Sequence, residues 1–198
     1  MLLHEAVQSN AETLRARGWH WIEPEVGELA SGASGAGRMV EAQDLAARLD
    51  ALFTVCDLAH LRILVTAGPT LEDIDPVRFI GNRSTGKMGF ALARRARARG
   101  AEVTLVAGPT HLPTPIGVER INVRSAAEMQ QAVEGRFAEV DVAILAAAVA
   151  DYRVAHVADE KIKRGDGGRT IQLVENPDIA AKLGACKEGQ TLVLFAME

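Results

Sequence analysis

The residues best suited to chemistry fall in polar stretches that each follow a short apolar run. The first comes after Ile63-Leu64-Val65 and Thr66-Ala67-Gly68-Pro69-Thr70, and carries Asp73, Asp75, Arg78, Asn82, Arg83 and Lys87 before the pattern turns helical past Gly86. An apolar run emptying into such a loop reads as a buried strand whose end lets the backbone approach a ligand. Open α/β sheets place their binding sites there. The second follows Val142–Ala147, where Ala148-Val149-Ala150-Asp151 sets an acid at a strand's carboxyl end, with small alanines leaving room for a flat ligand. Beyond it, Glu160-Lys161-Ile162-Lys163-Arg164-Gly165-Asp166-Gly167-Gly168 joins a basic run to a glycine-rich turn, and Asn176-Pro177-Asp178 follows. Alone, the basic run is a solvated loop. Combined with the upstream acid and the downstream Asn-Pro-Asp, it suits a mobile flap that carries a lysine onto a phosphate.

The elements that must position these loops alternate regularly from Leu61 onward. Strand Ile63–Ala67 precedes a helix over Met88–Arg99, whose face Ala91, Leu92 and Ala96 can pack closely on a sheet before Gly100 ends it. Val103–Ala107 and Val118–Val123 are the next strands. Ser125 and Glu128 have capping-box spacing for a helix to about Glu139. Val142–Ala147 is a further apolar strand. Unalternated apolar strands separated by helices predict an α/β, Rossmann-like, mostly parallel sheet with helices on both faces.

Standard nucleotide fingerprints are absent. No GxGxxG follows the first strand, and no Tyr-x-x-x-Lys pair supports a short-chain NAD enzyme. Gly81-Asn82-Arg83-Ser84-Thr85-Gly86-Lys87 matches GxxxxGK, but Met88 replaces the hydroxyl a P-loop needs and the stretch lies well past the strand. It is a false Walker motif. What survives is Gly86 opening a helix, whose N-terminal amides attract phosphate or carboxylate.

The first sixty residues lack a core of their own. A helix over Leu3–Arg17 closed by Gly18, an extended Trp19–Pro24, a small-residue loop Gly27–Met39 with four glycines, and a helix from about Glu41 to Phe53 cannot bury both faces of anything. The glycine loop is a linker, a lid or an anion cradle.

Composition narrows the classes. The chain has 198 residues, 48% hydrophobic and 24% charged, with net charge -4, which suits one good core and argues against nucleic-acid binding. Arg94, Arg95, Arg97 and Arg99 form a solvated helix face. Aromatic content of 4% disfavours base stacking. Cys56 and Cys186 lack metal or disulfide spacing and are expected as buried thiols. No apolar run reaches membrane length, and Met1-Leu2-Leu3-His4-Glu5 lacks signal-peptide layout, so a cytoplasmic protein is expected.

Taken in order, TAGPT-x-E-x-x-DPVR-x-I-x-N-x-S-x-GKMG, AAAVADYR, EKIK and ENPDI resemble phosphopantothenoylcysteine synthetase, in particular the synthetase half of the bacterial bifunctional coenzyme A enzyme. The likeness covers 61–198. Gly27-Glu28-Leu29-Ala30-Ser31-Gly32 with Gly35-Ala36-Gly37-Arg38-Met39 resembles the C-terminal end of the preceding flavin-dependent decarboxylase, so 1–60 is expected to be a partial flavoprotein-type remnant and linker. The resemblance implies CTP-dependent ligation of L-cysteine to 4′-phosphopantothenate, with Mg²⁺, through an acyl-cytidylate. It implies Asn82 and Lys161 as catalytic residues and Arg78 with Asn82 at phosphopantothenate. Ala148, Asp151, Lys161, Pro177, Asp178, Ile179, Ala180 and Phe195 would line CTP, and a homodimer would form. The metal ligands stay unassigned.

The chain departs from the family pattern in three ways. The sequence stops at Phe195-Ala196-Met197-Glu198, at the end of an expected strand, short of the family's downstream triphosphate lysines, so a truncated and weakened ligase is expected. FMN would belong only to the missing decarboxylase region. Ser31 stands where members with a catalytic cysteine carry Cys, so no decarboxylase activity is assigned. The competing reading is a non-catalytic nucleotide-binding fragment.

Overall fold

The computed structural model describes residues 2–164 and 167–195. The chain forms two compact units, Met1–Phe53 and Thr54–Glu198.

In the first unit, α1 (Glu5–Ala16) starts where the His4 ring Nδ1 accepts the Ala6 amide at 3.2 Å, and it ends before Gly18, whose φ of 85° takes the left-handed turn. The four-glycine stretch is not an open loop. It folds into an antiparallel hairpin of β1 (Glu25–Glu28) and β2 (Ser34–Arg38), with Glu28 opposite Ser34. Glycine and alanine carry too little hydropathy contrast to reveal a period of two, so the strand pattern was invisible in the residues. α2 (Ala42–Phe53) follows and buries no residue. Among the described apolar side chains of this unit only Ala11 and Val40 are buried, which matches the missing core.

The second unit runs β3 (Arg62–Ala67), β4 (Leu71–Asp75), β5 (Arg78–Gly81), α3 (Lys87–Ala98), β6 (Glu102–Ala107), β7 (Glu119–Asn122), α4 (Ala126–Phe137), β8 (Val142–Leu145), β9 (Tyr152–Val154), β10 (Leu173–Glu175), α5 (Ile179–Cys186) and β11 (Thr191–Leu194). Five of these strands form a parallel sheet in the order β11-β8-β3-β6-β7. β3 is central, with the order reversing between it and β8. That reversal opens a crevice at the strands' carboxyl ends.

Helices cover both faces, as parallel strands require. On one face, Phe90, Ala93 and Ala96 of α3 pack with Ile63, Val65, Val103 and Leu105. On the other, Met129, Val133 and Phe137 of α4 and Ile179 and Leu183 of α5 pack with Leu64, Val106 and Ala143. Of the expected contact face of α3, Ala96 is buried and Leu92 packs against the same core, but Ala91 is exposed, and Gly89, Phe90 and Ala93 complete the face. A Cβ at Gly89 would come within 2.5 Å of the Ala67 Cβ, so glycine is what lets α3 sit close to β3. Ser125 and Glu128 do cap α4. The Ser125 Oγ accepts the Glu128 amide at 3.2 Å, while the Glu128 carboxylate reaches one residue further back, to the Arg124 amide at 2.9 Å.

Two further differences concern loops and thiols. The polar stretch between β3 and α3 is an antiparallel hairpin, β4 against β5, rather than a structureless loop. Cys56 and Cys186 are both exposed, because each sits at a connection or helix end instead of in a core stripe. Among the described residues, no helix is long and apolar enough to cross a membrane.

Candidate functional site

The loops after β3 and β8 are laced together at the crevice. The Thr66 Oγ1 accepts the amides of Ala146 and Ala147, each at 3.1 Å, continuing β8's pairing with a side chain where the ladder ends. The Ala148 amide donates to the Gly68 carbonyl at 2.9 Å and the Thr70 amide donates to the Ala148 carbonyl at 3.2 Å. The buried Thr70 hydroxyl accepts the Ala150 amide at 2.9 Å. Close approach is built in: a Cβ at Gly108 would lie 1.7 Å from the Pro69 carbonyl oxygen. These bonds satisfy backbone groups that a loop would otherwise leave to water.

Asn82, just past β5, joins this lacing. Its side-chain amide donates to the carbonyls of Ala148 at 3.2 Å and Val149 at 3.0 Å, while the residue stays exposed. Asp151 is exposed on the same loop, and its carbonyl accepts the Asn176 amide at 2.7 Å. The Asn176 side chain donates to the Ala150 carbonyl at 2.8 Å, and Arg153 reaches the Asn176 Oδ1 at 3.2 Å. Asn82, Ala148, Asp151 and the Asn176–Asp178 turn therefore share one hydrogen-bonded framework.

The basic segment attaches through the hairpin. The Asp75 side chain is fully buried; its Oδ1 accepts the amides of Val77 and Arg78, each at 2.9 Å. Its Oδ2 accepts the Ile162 amide at 3.0 Å and the Arg78 guanidinium at 2.5 Å. Arg78 in turn donates to the Ile162 carbonyl at 2.6 Å. Burial by itself would raise the Asp75 pKa, but the Val77 and Ile162 amides and the Arg78 charge outweigh it and lower it to about 2. Arg78, Lys161, Lys163, Arg164 and Arg169 line one open cleft, a cationic surface suited to phosphate. Gly165 and Asp166 of the expected flap lie outside the described residues.

The hairpin is anchored at its other side as well. The Arg124 guanidinium forks onto Asp73 at 2.9 and 2.6 Å and lies over the Phe79 ring. That hydrogen bond holds the Asp73 carboxyl below the usual range. Buried Glu72 accepts the Ala126 amide at the start of α4, at 2.9 Å. Glu72, Thr66, Thr70 and Asp75 had no role assigned from sequence. Asp75-Pro76 did carry a signal, since an aspartate ahead of a turn often bonds the amide two residues on.

Other expected residues are placed differently. Ile179 is 6% exposed, its side chain packed in the core. The Asp178 carboxylate caps α5 by accepting the Ala181 amide at 2.8 Å. Pro177 is exposed and Ala180 half-buried beside them. Phe195 is exposed at 51%, and its amide follows the end of β8 by donating to the Leu145 carbonyl at 3.4 Å. Ala196, Met197 and Glu198 lie outside the described residues. Gly86, with φ of 75°, opens α3 without any side-chain cap, leaving first-turn amides for an anion. Among the described residues no group of three or more His, Cys, Asp or Glu could hold a metal.

Comparison with known proteins adds to this geometry. The family model described as DNA/pantothenate metabolism flavoprotein C-terminal domain matches residues 58–198. The chain is 48% identical to the Coenzyme A biosynthesis bifunctional protein CoaBC of Escherichia coli (strain K12), over 98% of this chain and 49% of that protein. It is 50% identical to a cysteine/cysteine sulfinic acid decarboxylase of an unknown prokaryotic organism, over 100% of this chain and 57% of that protein. The crystal structure of the C-terminal domain of CoaBC superposes with a TM-score of 0.60 at 47% identity, covering 68% of this chain and 63% of that one. The chain thus spans about half the length of the curated relatives it matches.

Proposed function

We propose, from the premise that the chain belongs to the DNA/pantothenate metabolism flavoprotein C-terminal domain family, that it carries the phosphopantothenate–cysteine ligase site of coenzyme A biosynthesis. The observation that supports this most is Asn82 bound to the Ala148-Val149 backbone at the β3/β8 reversal, beside Asp151. In this reading CTP lies over Ala148, Asp151 and the Pro177–Ala180 segment, with Phe195 at its margin. The 4′-phosphopantothenate carboxylate attacks the α-phosphorus of CTP, forming a carboxyl–phosphate bond as the bond to pyrophosphate breaks. Lys161 offsets the charge growing on the phosphoryl oxygens. The L-cysteine amine then attacks the acyl carbon, CMP leaves, and an amide forms with loss of the amine proton to solvent. Asn82 and Arg78 hold the phosphopantothenate portion, the Asn82 amide oxygen being left to accept.

Magnesium accompanies the triphosphate, and the working state is a cytoplasmic homodimer. Calorimetry should show CTP preferred over ATP and NAD. CTP-dependent pyrophosphate release with phosphopantothenate separates an enzyme from a nucleotide binder, and its absence in the full-length protein overturns the ligase reading.

A further inference from the structure

Asp75 is a buried carboxylate that the reaction as described leaves without a task, yet its partners are specific. It holds the amide of Ile162, whose sequence neighbour is Lys161, while its own ion-pair partner Arg78 holds the Ile162 carbonyl. Both polar groups of one backbone residue in an otherwise irregular segment are thus gripped by the β4–β5 hairpin. The same hairpin ends at Gly81, immediately before Asn82. A solvent-facing basic segment has no apolar reason to lie in one place, since Lys161, Lys163 and Arg164 are all exposed. The grip supplies the reason.

We propose that Asp75 is a positioning residue: with Arg78 it clamps the Ile162 backbone so that Lys161 stands at a set distance from the framework carrying Asn82. The inference rests on the role given to Lys161 above, but the clamp itself is measurable without turnover. Because Asp75 meets two hairpin amides with one oxygen and the distant segment with the other, it reports the hairpin's own fold to the lysine. An asparagine at this position keeps the size and one acceptor oxygen but turns an N–H toward either the hairpin or the Ile162 amide.

The test uses the full-length protein with Asp75→Asn, and Ile162→Pro as a second variant that deletes the gripped N–H while leaving the hairpin untouched. Hydrogen exchange at the Ile162 amide in Asp75→Asn, and tryptic cleavage after Lys163 in both variants, should accelerate about tenfold or more, because the hydrogen bond that opposes local opening is lost. Pyrophosphate release at saturating substrates should fall by roughly tenfold or more in Asp75→Asn, as expected of a misplaced catalytic group. In a Lys161→Gln background the same substitution should cost almost nothing further, which a merely structural role would not produce. Unchanged cleavage in Ile162→Pro overturns the clamp even if Asp75→Asn fails to fold. Additive rate losses with Lys161→Gln overturn the positioning role. Wild-type protein that protects Ile162 yet releases no pyrophosphate overturns the ligase reading alone.

Discussion

The side-chain amide of Asn82 and the backbone of Ala148-Val149 meet at 3.2 and 3.0 Å, although 66 and 67 residues separate them in sequence. One side chain therefore ties the hairpin inserted after β3 to the loop that follows β8. Replacing it with aspartate turns two donors into an acceptor facing two carbonyl oxygens, which repels where it previously bonded. Asn82→Asp should retain CTP binding but slow conversion of the acyl-cytidylate to amide product by roughly ten- to a hundredfold, as a misplaced reacting group does. Quench-flow separation of pyrophosphate release from amide formation measures this, and wild-type amide formation would refute the assignment.

Lys161→Gln removes the positive charge but keeps a side chain of similar reach. Acyl-cytidylate formation should drop by about a hundred- to a thousandfold, the scale on which a single charge-stabilising group acts. CTP affinity from calorimetry should change far less. A lysine that contributes only to ground-state binding would show the opposite split.

Glu72 makes a stability prediction independent of function. Glu72→Ala leaves the buried Ala126 amide at the start of α4 without its acceptor and should cost about 1–3 kcal/mol. Glu72→Gln, which keeps an oxygen there, should cost less. Urea unfolding of the two variants checks the order.

Gly89→Ala should destabilise by about 1–3 kcal/mol through overpacking, since the new methyl would meet the Ala67 Cβ at 2.5 Å and the Thr66 carbonyl at 2.9 Å. The same substitution at Gly135, where nothing lies within 4 Å of the added carbon, should be neutral or slightly stabilising. Thermal melts of the pair give the contrast.

Asp75 sets a pH window. Its folded pKa of about 2 lies below the ordinary 3.8, so the folded state binds its proton less readily than the unfolded chain. The stabilisation is fully present above the unfolded value and is lost as pH falls through the folded one. Protection of the Ile162 amide should persist down to pH 4 and fail toward pH 2. Asp75→Asn, which has no carboxyl to protonate, should lack this acid transition.

The parallel core was legible because β3, β6 and β8 are apolar runs, the first two ending at Gly68 and Gly108, and the post-strand loops carrying Asn82 and Asp151 were legible from their polarity. The β4–β5 hairpin was not, since its buried positions are Glu72 and Asp75 while Leu71 and Ile74 are only half-covered. Hydropathy assigns such a strand the wrong face. On α3 the expected Leu92 and Ala96 do pack on the core, but Ala91 was wrongly included because alanine recurs all around the helix. Asp75 was visible as a charge but not as a clamp, because its distant partner is a backbone amide 87 residues away, which leaves no trace in residue type.

The β4–β5 hairpin stands between the first sheet strand and its helix, outside the ladder of the five-stranded sheet. Changes along its edge can therefore reshape what the crevice admits without disturbing a single inter-strand bond of the framework. Variants with altered substrate choice should therefore be sought at exposed Val77 and Phe79 before any position in β3 or β8.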